Sequence, residues 1–346
     1  MKDLAKYSFA NAKIRAMLSY LIDGPAFNGL LELKDKFEVF ESLKKTPYKE
    51  VMEKLSPENI KMEALEQEFL RYDLKVFDKV YDAISTKREK DFVGLLKQRY
   101  ELEQLKVFLR IWHKKTPVDL QDYLVEEKIS YDIDYKKIVA SASIEEIILL
   151  LDDTVYKRPL MKVKDRYKEK NSCFYLEAAL DVDYYERLLD CIDKFSSADK
   201  KIARKILSVE VDIENINWLI RMRKYYSMGL GDMLDWVLPG GEWINKDTVR
   251  RFYSSDGLTK VVDSVALGPY ARLKDLVQEN VAELEKFLYG FMMREVKSAL
   301  GGFPFTIGTV LGYLTLKRRE TKNIISLINA KHYGWKKEEI VPILNQ

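Results

Sequence analysis

The feature that most constrains this chain is that it repeats itself at intervals of roughly 110 residues. Tyr48, Tyr156 and Tyr270 close the tripeptides Thr46-Pro47-Tyr48, Thr154-Val155-Tyr156 and Gly268-Pro269-Tyr270, spaced by 108 and then 114 residues. Each follows an apolar helical segment, marked by Phe37 and Phe40, by Ile144 and Ile147, and by Leu258 and Val261. A second marker recurs independently: Gln104-Leu105, Asn215-Ile216 and Asn323-Ile324 lie 111 and 108 residues apart. An apolar pair follows each at the same distance, Phe108-Leu109, Leu219-Ile220 and Leu327-Ile328. The register also aligns Leu95, Ile206 and Leu314, and sets Arg110 opposite Arg221. The third copy departs, with Asn329 at the arginine position and Lys317 and Thr321 where the second copy has Val209 and Ile213. Three similar units are expected, 1–117, 118–230 and 231–346, with boundaries near Pro117 and Gly231.

Each unit reads as helical. Ile202, Ile206, Val209, Ile213, Ile216 and Ile220 alternate spacings of four and three, which keeps one face apolar over more than five turns. Lys205, Glu210, Glu214 and Arg221 mark the polar face, and neither glycine nor proline interrupts before Gly229. Only 15 glycines and 9 prolines occur in 346 residues, and strand alternation is brief, as at Asp181 to Tyr184. The fold class is therefore all-α, with three pseudo-symmetric helical bundles. Breaks are expected at Asp23-Gly24-Pro25, Lys115-Thr116-Pro117, the charged stretch Lys162 to Asn171, Leu238-Pro239-Gly240-Gly241, Gly268-Pro269 and Gly301-Gly302-Phe303-Pro304. The charged stretch mixes Asp165 and Glu169 with its cations and reads as a solvated face or loop rather than a phosphate or nucleic-acid patch.

Several function classes lose support. With 58 Lys plus Arg against 55 Asp plus Glu, the net charge is only +3 and the signs interleave, so no nucleic-acid partner is expected. No apolar run reaches the roughly 20 residues of a membrane span, and nothing after Met1 resembles a secretory leader. Cys173, Cys191, His113 and His332 show no zinc-ligand spacing and no nucleophile signature, so neither a metal site nor covalent catalysis is expected. The glycines from Gly301 to Gly308 lack the lysine of a phosphate loop and suit a tight turn into a helix that Thr306 can cap. Asp152-Asp153 and Glu338-Glu339 are adjacent pairs whose side chains diverge on a helix, so they make no acid and base site. No cofactor is expected.

The C-terminal stretch Pro304-Phe305-Thr306-Ile307-Gly308, then Gly312-Tyr313-Leu314, Glu320 and Asn323-Ile324-Ile325, resembles the C subunit of the archaeal and bacterial V-type (A-type) rotary ATPases, related to the d subunit of eukaryotic V-ATPases. Glu214-Asn215-Ile216 with Arg221, and Tyr7 to Met17 with Asn11 and Arg15, look like two further family segments. Arg318-Arg319 departs from the more acidic residues expected there. The resemblance implies a funnel of three helical domains. It implies a non-catalytic role between the central-stalk subunits and the proteolipid rotor ring, on the cytoplasmic face of the cell membrane. A free-standing helical adaptor or scaffold is the alternative, and an enzyme comes third.

Two residue sets are singled out. Lys317, Arg318 and Arg319 form a basic cluster in mid-helix with no intrahelical reason, so an acidic partner surface is expected to meet it. Asn215, Arg221 and Asn323 recur within the repeat and are expected to anchor helix packing, exposed polar positions being the other reading.

Overall fold

A computed structural model describes residues 2–115, 117–125, 127–226, 229–253, 270–271 and 281–344; residues 2–5, 220–226, 252–253 and 281–285 are described by backbone alone. Among the described residues every regular element is helical. The chain opens with α1 (Lys2–Leu18), α2 (Gly24–Glu32), α3 (Lys36–Leu43) and α4 (Lys49–Glu53), followed by the long helices α5 (Met62–Ala83) and α6 (Lys87–Lys114). The order then recurs: α7 (Tyr135–Ala140), α8 (Ile144–Leu150) and α9 (Lys157–Lys170) precede α10 (Phe174–Asp193) and α11 (Ser197–Tyr226). Finally α12 (Leu230–Trp236) and α13 (Lys246–Tyr253) precede α14 (Val281–Gly301) and α15 (Ile307–His332), followed by the short α16 (Lys337–Ile340) and a 3-10 turn at Val341–Ile343.

Local chemistry repeats with the elements. Asp35 accepts from the Glu38 amide while the Glu38 carboxylate accepts from the Lys34 amide, a reciprocal cap for α3. Ser143 and Glu146 do the same for α8, 108 residues on. Thr46 Oγ1 donates to the Leu43 carbonyl at 2.6 Å and accepts from the Tyr48 amide at 3.2 Å, and Thr154 makes the same pair with Leu151 and Tyr156 at 2.8 and 3.1 Å. The threonine thus fixes the turn that presents Tyr48 and Tyr156 inward; Tyr270 is buried as well. Gly268 and Pro269 of the third tripeptide lie outside the described residues, as do Leu258 and Val261.

The isoleucine ladder forms a single helix, α11, in which Ile206, Val209, Ile213 and Ile216 are buried; the Ile220 and Arg221 side chains lie outside the described residues. One expected break is displaced. Lys162 to Lys170 continues helix α9, which buries Pro159, Leu160, Val163 and Tyr167 on one side, so its charges line a solvent face rather than a loop. The break falls at Asn171, whose φ of 47° is the left-handed cap a short polar side chain tolerates. Thr306 caps α15 through the Gly308 amide.

Three of the long helices, α6, α11 and α15, each carry a carboxylate that holds a segment from another part of the chain. Glu101 of α6 accepts from the Ser130 and Tyr131 amides at 2.8 and 2.9 Å and from the Tyr156 hydroxyl at 2.9 Å. Asp212 of α11 accepts from the Ile244 amide at 2.8 Å, the Trp243 amide at 3.2 Å and the Tyr270 hydroxyl at 3.1 Å. Glu320 of α15 accepts from the Ile22 amide at 2.7 Å and from the Tyr48 hydroxyl. These carboxylates recur at 111 and 108 residues, the period of the second marker. Gly240 and Gly241 serve the same junction: Gly240 adopts φ +94°, and a Cβ on Gly241 would stand 2.5 Å from Asp212 Oδ1.

The third junction joins the two ends of the chain. Ile324, Leu327, Ile328 and Ala330 of α15, with Ile340 and Leu344, share a core with Phe27 to Phe69 of the first unit. A larger core takes in Tyr7, Ala10 and Ile14 of α1 together with α5 to α15. Asp199, at the start of α11, accepts from the Tyr7 hydroxyl at 2.9 Å, from Lys6 at 3.1 Å and from the Ile307 amide at 2.8 Å.

The carboxylate junction generates a ranked expectation. Tyr156→Phe removes one bond to a charged acceptor and should cost about 1.5–3 kcal/mol, while Glu101→Ala strips partners from two loop amides as well and should cost more. Urea unfolding of both variants measures the order, and a Tyr156→Phe cost equal to or above that of Glu101→Ala contradicts it.

Candidate functional site

Polar residues of α6, α11 and α15 face one another. Between them, and between α5 and α10, lies a cavity of about 900 Å³. Glu210 and Glu214, read from the sequence on the polar face of α11, line this cavity. Register-equivalent residues meet there: Arg99, Glu210 and Arg318 stand 111 and 108 residues apart in sequence and touch in space. Glu210 Oε1 receives Arg99 Nη1 and, at 3.2 Å, Arg318 Nη1; Arg99 Nη2 reaches Glu214 at 3.3 Å. One turn further along, Glu103, Glu214 and Lys322 are again equivalent by the same two spacings.

The electrostatics follow from enclosure. Burial works to raise the Glu210 carboxyl, but the Arg99 and Arg318 charges overcome it and hold it below the usual range. Lys106 donates to both oxygens of Asp181 at 2.9 and 3.0 Å, and burial still pushes the Asp181 carboxyl up. Asp73, buried on α5, accepts from the Tyr100 hydroxyl at 3.1 Å and the Thr321 hydroxyl at 3.0 Å, and burial raises it to about 6. Lys322 is pushed down to about 8, first by Arg318 one turn away and then by burial. Tyr184 and Tyr185 are buried in the cavity wall, and neither hydroxyl has a hydrogen-bond partner among the described residues.

The basic trio read from the sequence does not form one surface. Lys317 is buried with 5% exposure: its ammonium donates to the Tyr48 hydroxyl at 2.6 Å, lies 3.4 Å from Glu320 and sits over the Tyr48 and Tyr72 rings at 4.1 and 4.6 Å. The expectation of a partner contact at Lys317 is corrected, because this charge neutralises the Glu320 junction from within. Arg318 turns to the cavity, and Arg319 is half-buried. Asn215 is buried and binds the loop between α12 and α13 through its amide, donating to the Leu238 and Ile244 carbonyls at 3.0 and 3.3 Å and accepting from the Leu238 amide at 2.8 Å. Asn323 is buried at the equivalent turn of α15. Sequence reasoning missed Arg99, Glu103, Asp181 and Lys322, although the register that aligned Arg110 with Arg221 also aligns Arg99, Glu210 and Arg318.

The Cys173 thiol lies against the Glu177 carboxylate, but burial first and then that carboxylate push the thiol up, away from the thiolate; burial likewise pushes up the Cys191 thiol, and His113 contacts the Tyr167 hydroxyl at 3.0 Å. Among the described residues no group of three His, Cys, Asp or Glu is arranged to hold a metal ion, and no helix is long and apolar enough to cross a membrane. What the fold and cavity define is a helical-repeat protein with a charged interior space. The family described as ATP synthase (C/AC39) subunit matches residues 10–342, and the chain belongs to that family. The C subunit of the A-type ATP synthase of Methanocaldococcus jannaschii is 24% identical over 359 aligned residues, covering 99% of this chain and 87% of that protein. Its counterpart in Thermococcus onnurineus is 26% identical, covering 96% and 88%, and that of Methanosarcina mazei is 23% identical, covering 98% and 92%.

The raised aspartates give a pH expectation. Asp73 and Asp212 rise from 3.8 to about 6 in the folded chain, so that state holds extra protons between those values. Their contribution is therefore present below pH 3.8 and is lost as pH rises through about 6. Asp73→Asn should flatten part of that fall. Urea midpoints across the window test it; a wild-type-to-variant difference that does not change with pH refutes it.

Proposed function

We propose that the chain is a non-catalytic coupling subunit of a rotary ATPase, joining the central stalk to the proteolipid rotor ring at the cytoplasmic face of the membrane. Its three repeats, 1–117, 118–230 and 231–346, form the wall of a funnel, and the stalk tip enters the charged cavity. The observation that carries this reading is the cavity of about 900 Å³ walled by α6, α11 and α15 in a member of an ATP synthase subunit family. A coupling element must transmit torque without yielding, and close-packed helices joined end to end by buried carboxylates suit that task. Repeat-packing residues Asn215, Arg221 and Asn323 belong to this wall, and Arg318 to its inner surface. Arg319 is assigned to the face that meets the ring.

The test compares ATP hydrolysis with ion uptake in reconstituted vesicles, with and without this subunit. Its removal should leave the soluble head hydrolysing ATP while ion uptake disappears, and adding it back should restore uptake. The purified chain alone should hydrolyse no ATP. Full ion uptake in its absence would refute the assignment.

A further inference from the structure

The amino-terminal turns of α6, α11 and α15 draw together beyond the cavity, and none of their residues before Leu96, Leu207 and Leu311 lines it. Helix α1 lies across this closed end. Lys6 reaches Glu89 at 2.5 Å and Asp199 at 3.1 Å, Ser85 Oγ donates to the Lys6 carbonyl at 3.1 Å, and Asp199 also holds the Ile307 amide. The three hairpin turns gathered there differ. Three residues separate α5 from α6 and α10 from α11, and each of these turns tucks an apolar side chain inward, Ile84 at 2% exposure and Phe195 at 7%. Five residues separate α14 from α15, and the longer turn leaves Phe303 64% exposed. Helix α1 runs beside that turn, since Tyr7 shares Asp199 with Ile307 and Arg15 donates to the Leu300 carbonyl at 2.6 Å. Phe9, turned away from the buried Tyr7, Ala10 and Ile14 of the same helix, is 66% exposed.

Between the α5–α6 turn and the end of α10 lies a groove of about 1060 Å³ whose lining carries six cations and three acids. Lys6 is held by Glu89, and Arg187 by Asp183 at 2.8 Å, which leaves Lys87, Arg88, Lys90 and Lys194 facing Asp91 and Asp190. Asp193, the next acid along α10, is already bridged by Lys200 and Arg204. Lys87, Arg88 and Lys194 are exposed, and Lys90 lies 5.0 Å over the ring of Tyr81. Lys87 and Arg88 occupy the first turn of α6, the end of a helix at which cations are disfavoured, so helix stability does not account for them.

We infer that the closed end is a peripheral lipid contact, at which Phe9 and Phe303 enter the headgroup layer while Lys87, Arg88, Lys90 and Lys194 meet anionic headgroups. The inference goes beyond the coupling function, which assigns this chain contacts with protein subunits alone. A protein interface gathers its apolar side chains in a desolvated centre from which lysine is depleted. Here two phenylalanines project from separate elements with cations around them, the pattern of a surface that dips into a bilayer interface without crossing it. Anionic headgroups supply the negative charge that the groove lacks, and each lysine or arginine held near such a surface adds to the attraction. The aromatic side chains supply the part of the binding that salt does not screen.

The experiment floats the purified full chain with vesicles of phosphatidylcholine alone or mixed with phosphatidylglycerol, across a salt series. The wild type should bind the anionic vesicles roughly tenfold more tightly than the neutral ones, and less so as salt rises. Lys87→Glu with Arg88→Glu should remove that preference, and Phe9→Ser with Phe303→Ser should weaken binding at every salt concentration. Both double variants should melt with the wild type, because all four side chains are exposed. A polarity-sensitive dye on Phe303→Cys, in a chain whose own two thiols are buried, should shift to the blue on anionic vesicles. Equal binding to both vesicles, or none, overturns the inference, and so does an unshifted dye. If the charge-reversed chain binds vesicles like the wild type but fails to join the rotor ring, the face is a protein contact and the inference is again wrong. The vesicles hold no ATPase subunit, so none of these failures touches the coupling function, which stands or falls on ion uptake.

Discussion

A carboxylate buried on each of α6, α11 and α15 ties that helix to a segment from another part of the chain. Glu101, Asp212 and Glu320 each accept a backbone amide and a tyrosine hydroxyl, so a single side chain settles both a loop and the turn that ends it. Removing any one of these carboxylates would leave a tyrosine hydroxyl and at least one backbone amide buried without a partner, which is costly. The apolar seams supply most of the burial. The carboxylates add directional bonds that fix which turn of each helix meets which loop.

Much of the fold is legible in the sequence because packing imposes a period. The isoleucine spacing along α11 and the recurring tyrosine both follow from faces that must be buried, and burial leaves a mark on every turn. The carboxylate partners are harder to see. Glu101, Asp212 and Glu320 recur as regularly as the tyrosines, yet an acid on a charged helix looks like any solvated acid until its tertiary partner is known. Lys317 misleads for the same reason in reverse. A lysine at an apolar register position suggests that its face is exposed, whereas the position is buried and the charge is answered by Glu320.

The cavity shows a similar limit. Periodicity separates an apolar face from a polar one, but it does not say whether the polar face meets bulk water or an enclosed space. Glu210 and Glu214 lie on the polar face as expected, and only the approach of α6 and α15 turns that face into an interior wall. Once enclosed, each charge needs an answer within a few ångströms, and the pattern of pairs across equivalent positions is the result. The third helix breaks that pattern by carrying Arg318 and Lys322 where the other two bring alternating signs or acids.

The joining of the chain's two ends bears on how such a molecule is made. The core of α2, α3 and α4 is completed by Ile324, Leu327 and Ile328, with Ile340 and Leu344 closing it. During synthesis these early helices leave the ribosome some three hundred residues before the side chains that cover them. The nascent amino-terminal segment must therefore wait with an open apolar face while the middle of the chain folds, and contacts of such sequence separation are slow to form. The helix that closes this early core is translated long after the helices it covers, so a chain released before it keeps an unfinished beginning.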